Sequence, residues 1–94
     1  MSRGELMRAF DRAIAQVTRL QQAGLETSSG GSADQQLSRL RADLEAHRAT
    51  ADRGERFARE WAGGLVRWVA GWLPDNELPL LAALGAIVRA APRA

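Results

Sequence analysis

The stretch HRATADRGERFAREW (residues 47–61) decides how many helices this 94-residue chain contains. Before it, Leu37, Leu40 and Leu44 form an apolar seam at steps of three and four. After it, Leu65, Trp68 and Trp72 form another. Counting through in steps of three and four lands on His47, Ala51, Gly54, Ala58 and Trp61, so one heptad frame spans both seams. His47, Ala51 and Gly54 bring little apolar area to the middle of that frame. Two structures satisfy the pattern: one helix over residues 33–73 with a thin waist, or two helices with a bend near 50–54. Gly54 costs about 1 kcal/mol inside a helix, and Asp52 and Glu55 are suited to cap a fresh start. Against a break, Arg39–Asp43, Arg41–Glu45, Asp52–Arg56 and Glu55–Arg59 all have i,i+4 spacing. Each such pair is worth only about 0.2–0.5 kcal/mol. The balance leans to one continuous helix.

The flanking segments read more simply. Ser2 and Glu5 have capping-box spacing, and Leu6, Phe10, Ala13, Val17 and Leu20 then mark one face, widened by Met7 and Ile14. This predicts a helix over 3–24, stopped by Gly24. The run ETSSGGS (26–32) has no apolar anchor and predicts a flexible connector. It lacks the preceding strand and the Gly-Lys-Ser/Thr ending of a phosphate loop. Ser32 and Gln35 repeat the capping-box spacing. LPDN (73–76) ends the second helical region, because Pro74 disfavours helical geometry at Leu73, and Asp75 or Asn76 is placed to cap the next helix. That last helix, 76–91, carries Glu77 and Pro79 in its first turn, where both are tolerated. It is apolar nearly all round from Leu78 to Val88 and therefore needs cover on most sides. The expected fold is all-α: a single domain over 1–94, packed as a small antiparallel bundle of three to four helices.

Composition narrows the chemistry. There is no cysteine, hence no disulfide framework and no thiol-based zinc site. That is compatible with a reducing compartment. No secretory signal is read at the first residues, and the expected location is cytoplasmic. The pI of 10.9 reflects thirteen basic residues that are all arginine, with no lysine or tyrosine to titrate; the formal net charge is only +2. Residues 39–59 carry six arginines but also four acids, without the excess of one sign that a phosphate-tracking face shows, which argues against nucleic-acid binding. His47 is the only histidine, so no paired-histidine metal site exists. It reads as a half-buried helix residue with a local partner, ahead of a pH sensor. The helix acids have arginines one turn away, and the serines cluster far in sequence from His47. Neither a carboxylate pair nor a nucleophilic triad is supported. The expectation is no enzyme activity, no cofactor and no metal.

All three tryptophans fall in WAGGLVRWVAGWLPDN (61–76). Trp61, Leu65, Trp68 and Trp72 share one stripe, with Gly63, Gly64 and Gly71 on much of the other side, where they would let another helix approach. Core is the bland reading. The alternative is a partner surface, since tryptophan and arginine concentrate at binding hot spots. Nineteen of the 24 charged residues lie in positions 1–60, which leaves the last third apolar. The expected function is a non-catalytic helical interaction module: an adaptor, assembly subunit or regulator. It would bind a protein partner or a second copy through Trp61, Leu65, Trp68, Trp72, Leu80, Leu84 and Ile87. One alternative is a membrane-associated amphipathic hairpin over 61–91, whose short segments suit an interface better than a span. Another is a recognition domain attached to signalling or defence effectors.

Overall fold

The computed structural model describes residues 3–54, 59–75 and 77–91. It contains four helices: α1 (Arg3–Ala23), α2 (Asp34–Asp52), α3 (Arg59–Ala70) and α4 (Leu78–Ala90). The fold is all-α, as the periodicity requires. α1 closes as expected: Gly24 sits at φ +74° and its N–H and that of Leu25 both donate to the Leu20 carbonyl, at 3.1 and 3.3 Å. The Ser2 cap lies outside the described residues.

The continuous helix does not occur. α2 stops at Asp52, and Gly54 adopts φ +78°, a left-handed conformation that ends a helix rather than merely weakening one. Arg53 N–H still reaches the Ala49 carbonyl at 3.1 Å, and Gly54 N–H turns back to Ala51 at 3.0 Å. α3 runs back along α2. Arg39 of α2 meets Trp68 of α3, and His47 meets Trp61, so the two helices run antiparallel. His47 and Trp61 are equally far from Gly54 in sequence. One heptad frame therefore serves a hairpin about Gly54 as well as it would serve a straight rod.

The other pairs are antiparallel too. Asp11 binds Arg48 at one end of α1/α2, while Gln21 reaches Ser38 and Arg41 at the other. Along α1/α4, Arg19 binds Glu77 at one end and Glu5 and Arg8 lie beside Arg89 and Ala90 at the other. α1 packs closely on α2 and α4, and α3 on α4. α2 and α3 meet through side chains. The order around the bundle is thus α1, α2, α3, α4.

The core is one cluster. Phe10, Val17 and Leu20 of α1, Leu37, Leu40 and Leu44 of α2, Val69 of α3, and Leu80, Leu84 and Ile87 of α4 are all essentially sealed from solvent. Fully burying one aliphatic side chain is worth about 1.5–3 kcal/mol, so this cluster drives the fold.

The connection 24–33 is anchored at its ends by Leu25 and Ala33, which pack on the core, and tied between them by backbone hydrogen bonds. Thr27 N–H donates to Gly31 at 2.6 Å, Gly30 to Thr27 at 2.9 Å, and Ala33 to Leu25 at 3.0 Å. Ser28 N–H crosses to the Trp72 carbonyl at 2.8 Å. Ser32 Oγ accepts the Asp34 N–H at 3.2 Å, so Ser32 helps to start α2, although the capping position itself is Ala33. Glu77, not Asp75, precedes α4, and its carboxylate turns to Arg19 instead of capping; Asn76 is outside the described residues. Among the described residues, no helix is long and apolar enough to cross a membrane.

Candidate functional site

The residues expected to form a partner surface divide into two groups. Leu65, Leu80, Leu84 and Ile87 are buried in the single chain, at 7%, 0%, 1% and 1% exposure, and of these Leu65 lines a surface concavity. Trp61, Trp68 and Trp72 are half-buried and reach the surface. The reason lies in α1. The sequence shows that α4 needs cover but not which helix supplies it, and α1 lies against it. The stripe that α3 and the turn after it present to the core is also rotated from expectation: Ala62, Leu65 and Val69 of α3 and Leu73 beyond it are buried, and the indoles flank them. Leu78 is the large apolar side chain left exposed among the described residues.

Each indole has a different setting. Trp61 lies flat on the His47 imidazole, with centroids 3.6 Å apart and planes 7° from parallel, and Phe10 stacks at 6.4 Å. His47 Nδ1–H donates to the Asp43 carbonyl at 2.9 Å, which fixes the ring; a carbonyl can only accept, so the proton sits on Nδ1. This is the half-buried histidine with a local partner that the sequence predicts. Trp68 carries the Arg39 guanidinium over its ring at 5.3 Å, a cation–π geometry. Trp72 meets Trp68 edge-on at 5.4 Å and 70°. Its indole N–H is buried without an acceptor among the described residues. A buried donor left unpaired costs about 1–3 kcal/mol.

Between α2 and α3 these groups enclose an open concavity of about 370 Å³, lined by Arg39, Asp43, Trp61, Gly64, Leu65 and Trp68. Gly63 and Gly64 do not admit a neighbouring helix. A methyl group at either would meet the Arg67 guanidinium, at 3.8 and 3.9 Å. Gly64 leaves the floor of the concavity open.

The charged residues depart from the expected one-turn lattice. Arg41–Glu45 forms at 2.8 Å, but Arg39 goes to Trp68 instead of Asp43. Asp52–Arg56 and Glu55–Arg59 lie outside the described residues and side chains. Asp11 is drawn across to Arg48 at 2.7 Å, and that hydrogen bond, with the attraction of the same carboxylate, raises the Arg48 guanidinium above its ordinary pKa. The roles of Arg39 and Asp43 were not legible from periodicity, because the contacts they make cross the reversal. The seam position shared by His47 and Trp61 was the one available signal.

Among the described residues, no group of three or more histidine, cysteine or carboxylate side chains is placed to hold a metal ion. Comparison with protein-family models, curated proteins and solved structures gives no match.

Proposed function

We propose that this protein is a non-catalytic helical interaction module that associates through the α2/α3 face, with a second copy of the chain as its first partner. One observation carries the reading: Trp68, half-buried and covered by Arg39, stands at the rim of the concavity walled by Trp61 and Leu65. Tryptophan and arginine are the residue types in which binding energy concentrates when a partner closes such a concavity. The same rim holds Arg39 and Asp43 one helical turn apart. A surface that presents both charge signs is self-complementary: across a twofold axis Arg39 of one copy faces Asp43 of the other. A cytoplasmic setting belongs to this proposal, and the cysteine-free composition is compatible with it. The membrane-hairpin alternative has less support, because Leu80, Leu84 and Ile87 are turned against α1 and away from any lipid.

The test is solution mass against concentration, with NMR on dilution. Association by about 1 mM, with dilution shifts centred on Arg39, Gly64 and Trp68, is the expected result. Trp68→Ala is expected to abolish association while far-UV circular dichroism retains the helices. A wild type that stays monomeric at about 1 mM, with spectra unchanged on dilution, overturns the self-association reading, since contacts stronger than about −4 kcal/mol would show there.

A further inference from the structure

On the opposite edge of the bundle, α1 and α4 leave a second groove. Two adjoining concavities, of about 410 and 470 Å³, share Arg12, Ala86 and Arg89 and so form one trough. It follows α1 from Glu5 to Gln16, a length of roughly 16 Å, or three helical turns. Its floor and walls are short side chains: Ala9, Ala15, Ala82, Ala83, Ala86 and Pro79. Along its edges stand Arg8, Arg12 and Arg89, all exposed.

These three arginines differ from the others that define the bundle. Arg19, Arg41 and Arg48 are paired with Glu77, Glu45 and Asp11. Arg8, Arg12 and Arg89 have no hydrogen-bond or ion-pair partner among the described residues. Among the described residues the one acid in the trough, Glu5, sits at its end. Arg8 and Arg12 are one turn apart, about 6 Å along the axis, which matches carboxylates spaced i,i+4 on a facing helix. Arg89 approaches from the other wall.

We infer that the α1/α4 trough docks an acidic amphipathic helix of a partner protein. Its small apolar side chains lie on the alanine floor, and its carboxylates pair with Arg8, Arg12 and Arg89. Short side chains on the floor let two backbones come close, and guanidinium forks bind carboxylates bidentately. The guanidiniums are spread along the trough and do not converge on one point, which suits a helix over a single phosphate. Among the described residues that line the groove there is no aromatic to stack a base, which disfavours nucleic acid. This site is independent of the α2/α3 face, and the two together would let one small bundle bridge two proteins.

The probe is a synthetic helical peptide of about 16 residues with i,i+4 glutamates beside an alanine/leucine face; the control replaces each glutamate by lysine. Titration into labelled protein is expected to shift the amides of Ala9, Ala15, Ala82 and Ala86. Arg8→Gln, Arg12→Gln and Arg89→Gln are each expected to weaken binding about fivefold, and Arg41→Gln to leave it unchanged. Binding is expected to fall steeply at about 0.5 M salt. Arg12→Glu should lose the acidic peptide and gain the lysine peptide, a reversal that loss of fold cannot imitate. No shift with millimolar acidic peptide, equal binding of the lysine peptide to the wild type, or unchanged binding by the triple glutamine variant overturns the inference. So does tighter binding of duplex DNA or anionic vesicles through the same arginines.

Discussion

The two seams on opposite edges of this bundle are built in opposite ways. At α1/α4 the backbones approach closely over Ala9, Ala83 and Ala86. At α2/α3 the backbones stand apart and the space between them is taken by Trp61, His47, Trp68 and Arg39. Side-chain volume therefore sets helix spacing here, in keeping with interaxial distances that depend on the residues at the contact. One seam has no room to grow and the other cannot lose what fills it. The first leaves a smooth trough with charge on its edges; the second leaves an aromatic concavity.

The contrast can be broken by mutation. The largest effect is expected for Trp61→Ala, which removes the indole wedged between His47 and Phe10. A loss of about 3 kcal/mol in denaturant unfolding is expected, the low end for tryptophan truncation because the ring is only half-buried. A loss under about 1 kcal/mol would mean that the indole does not hold the helices apart. Next is the opposite operation at the close seam. Ala83→Leu adds volume between α4 and α1 at a site that borders the trough, so part of the longer side chain turns outward and overpacking at the low end, about 1.5 kcal/mol, is expected. Tolerance of leucine there would show that α1 and α4 can separate freely, and the distinction between the seams would fall. The smallest effect concerns the reversal that creates the wide seam. Gly54→Ala forces an L side chain into φ +78°, although among the described residues nothing lies within 4 Å to clash with it. The cost should be about 1 kcal/mol, all of it backbone strain. A rise in thermal midpoint would restore the straight helix that the heptad frame allows.

The same physics explains which features were legible in the sequence and which were not. Periodicity marks which face of a helix is apolar, so the stripe from Leu6 to Leu20, the Gly24 stop and the all-round apolarity of Leu78–Val88 were readable. Periodicity does not say which neighbour covers that face. Leu80, Leu84 and Ile87 looked like an unmet need for a partner because the fold-back of α4 onto α1 is a long-range event. The sequence does not separate the Trp stripe from the core stripe one position away, since Leu65 belongs equally to the indole face and to the core stripe through Ala62 and Val69. In the sequence Gly54 shows only a propensity cost, whereas its left-handed φ, a property of the fold, is the deciding quantity. The i,i+4 pairs at the waist could not correct this, because a few tenths of a kcal/mol each is too little to outweigh a cap and a packed hairpin. Of the candidate site, the aromatic members were visible in advance. Arg39 and Asp43 joined it only through the reversal.

The placement of the aromatic residues also gives the molecule an optical asymmetry. With no tyrosine and three tryptophans, all of them between positions 61 and 72, its near-ultraviolet absorption and intrinsic emission come almost wholly from one short segment. Trp61 and Trp68 line the α2/α3 concavity, and Trp72 touches Trp68. None of the three lines the α1/α4 trough. A ligand seated against α2 and α3 therefore changes the colour and yield of the protein's own light directly. A helix seated in the alanine trough leaves that light unchanged unless the far side of the bundle moves. Unlabelled protein can thus distinguish, in a single titration, which of its two edges has been occupied.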